Sequence, residues 1–191
     1  MPKEYEFRPD PVQSGSLDKI FLTQRQRFSL LRWTLYGLLC LLGLIVQDVV
    51  LCQVDYMGGT DLVPCLIIMI TALEGGEEGS IFSLIAAVVY YFSGSAPGPH
   101  MIPVITGIAV FMAIFRQACL RRGFFSILLC AAMGMALYEL VIYATGVFLG
   151  QIPPQRLEAM LRTALYTLAA FPVCYPLARV IGKIGGEAWK E

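Results

Sequence analysis

Six apolar stretches separated by short polar segments run along the chain after residue 32. The second and third are shorter than the roughly 20 residues that a membrane-spanning helix needs, and only an acidic Glu-Gly turn separates them. They are therefore either spans of a locally thin membrane or a helical hairpin that enters and leaves. The pattern predicts an all-α integral membrane protein with about six transmembrane helices. The stretches cover residues 33–54, 62–73, 80–92, 101–115, 124–149 and 159–181.

The composition supports a membrane protein. Hydrophobic residues make up 57% of the chain and charged residues 15%, whereas soluble domains have about 45–50% and about 25%. The formal net charge is zero, which gives no indication of a nucleic-acid partner. We expect a polar, partly amphipathic cytoplasmic extension (1–32), a six-helix transmembrane domain (33–184) and a cytoplasmic tail (185–191).

The basic residues predict the orientation. Alternating crossings place every Lys and Arg on one side of the membrane except Arg156 and Arg162. By the positive-inside rule, both termini are then cytoplasmic. The acidic turn 74–78 also falls on this side, although it contains no Lys or Arg. Segment 16–32 is either an interfacial amphipathic helix or a positive flank that orients the first span.

No catalytic or metal-binding pattern is evident. Intramembrane hydrolysis needs a nucleophile with a base, paired carboxylates or a metal-binding H-E-x-x-H helix. The six cysteines show no C-x-x-C spacing, and His100, the only histidine, has no partner at ligand spacing. The sequence therefore predicts a protein that is not an enzyme and that has no metal site.

Polar residues within the apolar stretches are costly in a membrane and therefore informative. Asp48, Glu139 and Arg162 all fall in the outer half of the predicted spans, and Tyr138 and Tyr143 flank Glu139. One interpretation is a water-accessible or partner-facing site. The other is an internal ion pair or hydrogen-bonded network that fixes the packing of the helices.

Small residues indicate where helices can approach each other closely. Ala109 and Ala113 form one small-x-x-x-small pair in the fourth stretch, and Ala132 and Ala136 form another in the fifth. These pairs predict helix contacts, either within the protein or with a partner.

Several short motifs follow one another in a recognisable order. They are Gln47, Asp61, Glu78-Gly79, Ser93-Gly94-Ser95 with Gly98, and Tyr138-Glu139. In this order and spacing the chain resembles the MreD family, the multi-span subunit of the bacterial rod-shape system. The resemblance covers residues 33–184.

The resemblance implies a non-catalytic subunit of the bacterial cytoplasmic membrane without a cofactor, and a fold similar to that of S components. Its expected partners are the lipid bilayer, an MreC-like bitopic protein and, further away, a RodA-type glycosyltransferase, a penicillin-binding transpeptidase and, indirectly, MreB. Helix–helix docking would hold these partners, and no nucleic acid is involved. Asp48, Glu139, Arg162 and the loop 93–98 would form the packing network and the partner contacts.

An alternative class is the substrate-binding S component of an energy-coupling-factor importer for a vitamin or micronutrient. In that case Asp48, Glu139, Tyr143 and Arg162 would line a ligand pocket near the outer face. Many S components carry an A-x-x-x-A surface on their first span. Residues 33–54 contain no alanine, which favours the scaffold over the importer.

Overall fold

The computed structural model describes residues 24–51, 60–120, 123–150 and 157–184. These residues form six α-helices and no strand. The first helix continues into a short π-helical turn, Val46–Val50, before the described segment ends. The helices are α1 (Gln24–Ile45), α2 (Leu62–Glu74), α3 (Gly76–Phe92), α4 (Met101–Cys119), α5 (Phe124–Phe148) and α6 (Leu157–Gly182).

Helix α2 is the centre of the molecule. Every residue from Leu62 to Leu73 is buried, and α2 contacts each of the other five helices. Its sequence has no polar face, which is the pattern of a helix enclosed on all sides. The short second stretch is therefore the core around which the longer helices pack.

Four helical segments are long and apolar enough to cross a membrane, and α2 is a shorter apolar helix. Large apolar side chains such as Leu38, Phe111, Leu140 and Val173 point outward from these longer helices. A lipid environment accommodates such surfaces, whereas water does not. The prediction of an all-α membrane protein is confirmed, and the protein crosses the membrane several times. The four segments are Arg27–Val50, Met101–Cys119, Phe124–Phe148 and Glu158–Gly182.

The acidic turn joins α2 to α3 through Gly75, whose φ of +105° favours glycine. Four residues later, Gly79 packs on Thr71. A Cβ atom at Gly79 would lie 2.9 Å from the Thr71 carbonyl oxygen. Gly75 and Gly79 therefore allow α2 and α3, which follow each other in the chain, to pack closely together.

The N-terminal part of α1 lies before the predicted first span. The helix begins at Gln24, so residues 24–32 belong to the same helix as the first span. Residues 16–23 of the predicted amphipathic segment lie outside the described residues.

The two predicted small-residue pairs differ in where they lie. Ala109 and Ala113 on α4 are fully buried. On α5, Ala136 is exposed, and the close approach is made by Gly134 instead, where a Cβ atom would lie 2.8 Å from Ile68 of α2. A small residue indicates a contact between helices within the protein only when it lies on the buried face of its helix.

Candidate functional site

Buried polar side chains collect at both ends of α2, whose 13 residues separate the two groups by roughly 20 Å. The group at the C-terminal end of α2 is named the arginine cluster here, and the group at its N-terminal end the carboxyl cluster. The arginine cluster contains Arg32, Tyr36, Glu74, Glu78 and Arg116. The carboxyl cluster contains Gln47, Asp61, Tyr90, Tyr138 and Glu139.

The arginine cluster is built around the guanidinium group of Arg32. Its Nη1 lies 3.1 Å from Glu74 Oε2, and its Nη2 donates to Glu78 Oε2 at 2.6 Å. The Tyr36 hydroxyl donates to Glu74 Oε1 at 2.6 Å. The side chains of Arg32 and Glu74 are only 7% and 2% exposed. The Arg32 guanidinium also lies 5.2 Å from the Trp33 ring centre, at a distance typical of a cation–π contact.

Further contacts connect the arginine cluster to other helices. Arg116 of α4 donates to the Leu73 carbonyl oxygen at 3.3 Å, which satisfies an acceptor near the C-terminus of α2. The Tyr36 hydroxyl also lies 3.4 Å from the Ala178 carbonyl oxygen of α6. Within this cluster, Arg32 Nε is the buried side-chain atom that lacks a hydrogen-bond partner among the described residues. The cluster therefore holds five helices together through matched charges and hydrogen bonds.

At the other end, neighbouring helices cap the N-terminus of α2. The Val63 N–H donates to Gln47 Oε1 of the π-helical turn at 3.1 Å, and the Asp61 N–H donates to Thr167 Oγ1 of α6 at 3.1 Å. The first N–H groups of a helix have no partner within the helix. Because this end of α2 is buried, side chains from α1 and α6 supply the missing acceptors.

Two acidic side chains meet at this end. The Asp61 carboxyl lies beside the Glu139 carboxyl, close enough for a hydrogen bond between the two. The hydroxyl groups of Tyr90 and Tyr138 lie beside each other next to this pair. Neither acid interacts with a lysine or arginine among the described residues.

Two atoms of the carboxyl cluster are buried without a partner. Tyr138 is completely buried and Glu139 is 5% exposed. The Tyr138 hydroxyl and Glu139 Oε1 nevertheless make no hydrogen bond of normal geometry within the described part of the chain. Buried polar groups in native proteins nearly always have a partner, and an exception calls for an explanation such as a bound water or ion.

The Ser-Gly-Ser loop after α3 lies against the end of α1. Asp48 is exposed, and its Oδ2 accepts a hydrogen bond from Ser95 Oγ at 2.8 Å. Ser93 Oγ donates to the Tyr90 carbonyl oxygen at 2.7 Å, and Gly94 has a φ of +81°. The Tyr90 hydroxyl lies 3.4 Å from the Ser95 carbonyl oxygen, so the loop borders the carboxyl cluster.

The remaining predicted site residues are Arg162, Tyr143 and Gly98. Arg162 is exposed and pairs with Glu158 at 2.6 Å, one turn earlier on α6. Of the two interpretations left open by the sequence, an internal ion pair of Arg162 with Asp48 or Glu139 is not present among the described residues. Tyr143 is half-buried one turn after Glu139 on α5, and Gly98 packs against the ring of His100.

The sequence did not predict the arginine cluster. Arg32 belongs to segment 16–32, for which the sequence leaves open an interfacial amphipathic helix or a positive flank, and no local pattern marks Tyr36 or Glu74 as part of a site. The available signal was the acidic turn itself, which the topology expected from the sequence assigns to the same side as most basic residues. Acidic residues at such a position are explained by a buried basic partner from another helix.

No family model, no curated protein and no solved structure matches the chain. Fold and clusters thus define its class: an all-α, multi-pass membrane protein with a short central helix and a polar cluster at each end of it. Among the described residues, no group of three or more His, Cys, Asp or Glu side chains is placed to hold a metal ion.

Proposed function

We propose that the protein is a non-catalytic subunit of the bacterial cell-elongation machinery that docks an MreC-like bitopic protein through helix–helix contacts. It would lie in the cytoplasmic membrane with both termini in the cytoplasm, and the RodA-type glycosyltransferase, the penicillin-binding transpeptidase and MreB would be reached through the assembled complex. The order of motifs in the sequence supports this proposal, and so does a groove on the outer surface of the helix bundle.

The groove lies between α1 and α3 and has a volume of about 430 Å³. One of its lining residues is Gly37, where no atom of another part of the protein lies within 4 Å of the position that a Cβ atom would take. Small residues in membrane helices allow a second helix to approach closely. A bitopic partner offers a single helix of this kind. The groove is lined by Trp33, Gly37, Glu78, Ile81, Phe82 and Ile85.

The groove is apolar except at the end where Glu78 lies. The Glu78 side chain is 61% exposed although it pairs with Arg32, so it remains accessible to a basic residue of a partner. This end belongs to the side of the membrane that collects the Lys and Arg residues of the chain. A partner helix with a basic residue just outside its cytoplasmic end would therefore match both the apolar groove and Glu78.

Co-purification in mild detergent with the MreC-like protein of the same organism tests the proposal. We expect the wild-type chain to form a complex and Gly37→Leu to weaken it by about tenfold, because the leucine fills the groove. Gly107→Leu is the matched control, since Gly107 on α4 is exposed and has no atom within 4 Å of its Cβ position. A monodisperse wild-type protein that forms no complex would overturn the proposal.

The same assay tests whether Glu139 takes part in docking. Co-elution that is weakened in a well-folded Glu139→Ala variant would connect the carboxyl cluster to partner binding. If the Glu139→Ala variant still co-elutes with the partner, the role of Glu139 is within the protein and not in docking.

The importer S component is the second candidate function, and the carboxyl cluster is the observation that favours it. The unpartnered Tyr138 hydroxyl and Glu139 Oε1 are groups that a small ligand could engage. A monodisperse protein that ignores the MreC-like partner but gains thermal stability from a vitamin would favour the importer.

A further inference from the structure

The carboxyl cluster combines a buried acid, Glu139, and the half-buried Asp61 with buried polar atoms that lack a hydrogen-bond partner. From this combination we infer that the cluster is a binding site for one small monovalent cation, sodium or potassium, held between Asp61 and Glu139. The site does not depend on the docking function proposed above.

The charge balance of the pair supports a single positive charge. A hydrogen bond between two carboxyl groups requires that one of them carries a proton, so Asp61 and Glu139 together hold about one negative charge. The N-terminus of α2, with its partial positive charge of roughly half a unit, favours keeping that charge. An uncompensated carboxylate is costly at this depth in a membrane, and no described basic side chain neutralises it.

The depth of the site follows from the length of α2. A helix of 13 residues covers roughly 20 Å, which is about 10 Å less than the hydrocarbon core of a bilayer. When Glu74 lies near one membrane surface, Asp61 therefore lies below the other. Ionisable residues at such positions typically face a partner charge or an ion pathway.

The available ligands are oxygen atoms that suit an alkali-metal ion. The carboxyl groups of Asp61 and Glu139 and the hydroxyl groups of Tyr90 and Tyr138 converge on one region. Glu139 Oε1 and the Tyr138 hydroxyl are the two atoms left free for an additional ligand. Because the described residues place no third acid and no histidine or cysteine with this pair, a single charge fits better than a divalent metal.

An exposed acidic side chain lies near the carboxyl cluster. Asp48, on the π-helical turn that ends the first span, is exposed beside the loop whose Ser95 contacts Tyr90. π-Helical turns occur frequently at functional sites. A negative group at the rim attracts a cation toward the buried pair.

Thermal unfolding of the purified full chain in detergent tests the site. The melting temperature is measured against increasing NaCl or KCl, with choline chloride at the same ionic strength as reference. We expect a saturable rise with sodium or potassium, because a ligand that binds only the folded state stabilises it. Glu139→Gln should abolish this rise, whereas Glu158→Gln, an exposed acid on α6, should keep it.

Tyr138→Phe separates binding from structure. Since the Tyr138 hydroxyl has no partner among the described residues, its removal should leave the melting temperature in choline unchanged. As a ligand group, its loss should raise the half-maximal cation concentration by roughly tenfold. If Glu139→Gln does not fold, Tyr138→Phe alone tests the proposed cation site.

Three results would overturn the inference. The first is a wild-type melting temperature that is the same in sodium, potassium and choline. The second is an equal rise in wild type and in Glu139→Gln. The third is a stability that changes with pH but not with the cation, because the pair would then hold only its shared proton.

Discussion

The two ends of α2 differ in how their acidic side chains are paired. At both ends acidic side chains are buried among helices that face lipid. In the arginine cluster, Arg32 forms ion pairs with Glu74 and Glu78, and Tyr36 adds a hydrogen bond to Glu74. In the carboxyl cluster, Asp61 and Glu139 face each other without a basic partner in the described chain.

This difference separates a structural site from a candidate binding site. In a buried ion pair each charge already has its partner, and removing one member leaves the other uncompensated. An acid pair beside polar atoms that lack hydrogen-bond partners can still bind a ligand. The arginine cluster therefore determines the positions of the helices, whereas the carboxyl cluster is the candidate site for a ligand.

The largest effect is expected from removing the central cation of the arginine cluster. Arg32→Ala leaves the Glu74 carboxylate buried without its charge partner, which typically costs about 3–5 kcal/mol. The free energy of unfolding, or the melting temperature in detergent, measures the loss. Arg162→Ala is the matched control, because its pair with Glu158 is exposed and such pairs contribute about 0–1 kcal/mol.

Equal losses in Arg32→Ala and Arg162→Ala would contradict the comparison. The Arg32 ion pairs would then contribute no more than an exposed pair, and the arginine cluster would not be what holds the helices together.

The next effect compares the same substitution at two buried tyrosines. Tyr36→Phe removes a hydrogen bond to a carboxylate, which should cost about 2 kcal/mol. Tyr138→Phe removes a hydroxyl without a partner in the described residues, so the stability in choline should change by less than about 0.5 kcal/mol. Chemical or thermal unfolding of both variants side by side measures the difference. A larger loss at Tyr138 than at Tyr36 would reverse the assignment of the two ends.

The smallest effect is expected at the rim of the carboxyl cluster. Ser95→Ala removes the hydrogen bond to Asp48 that connects the loop to the end of α1, at a cost of less than about 1 kcal/mol. Amide hydrogen exchange of residues 93–100 should become faster. Ser80→Ala, which removes an exposed bond to the nearby Glu77 carbonyl oxygen, should leave this loop unchanged. Unchanged exchange in Ser95→Ala would show that the loop is held by other contacts.

Much of the helix layout was predictable because it depends on local apolar length. The predicted fourth, fifth and sixth stretches correspond to α4, α5 and α6 with small differences at their ends. The predicted pair of short stretches separated by a Glu-Gly turn is also present, as α2 and α3. The central position of α2 was not predicted, since burial on all sides depends on helices far along the chain.

The candidate site was predictable only in part, because partners distant in sequence leave no local pattern. Asp48, Tyr138, Glu139 and the serine loop, which the sequence indicates as candidate site residues, lie in one region. The side chain beside Glu139 is Asp61 and not Arg162, because Arg162 forms its ion pair with Glu158. An arginine that can pair within its own helix turn does not need a distant acid.

The enclosed position of α2 also constrains how the protein is made. At 13 residues, α2 is too short to enter a bilayer as an independent span. Four of its five neighbours, α3 to α6, are synthesised after it, so α2 is not fully enclosed until the ribosome has completed the chain. A nascent chain that stops after α5 leaves one side of α2 open, and the last helix to be made closes the core around one of the first.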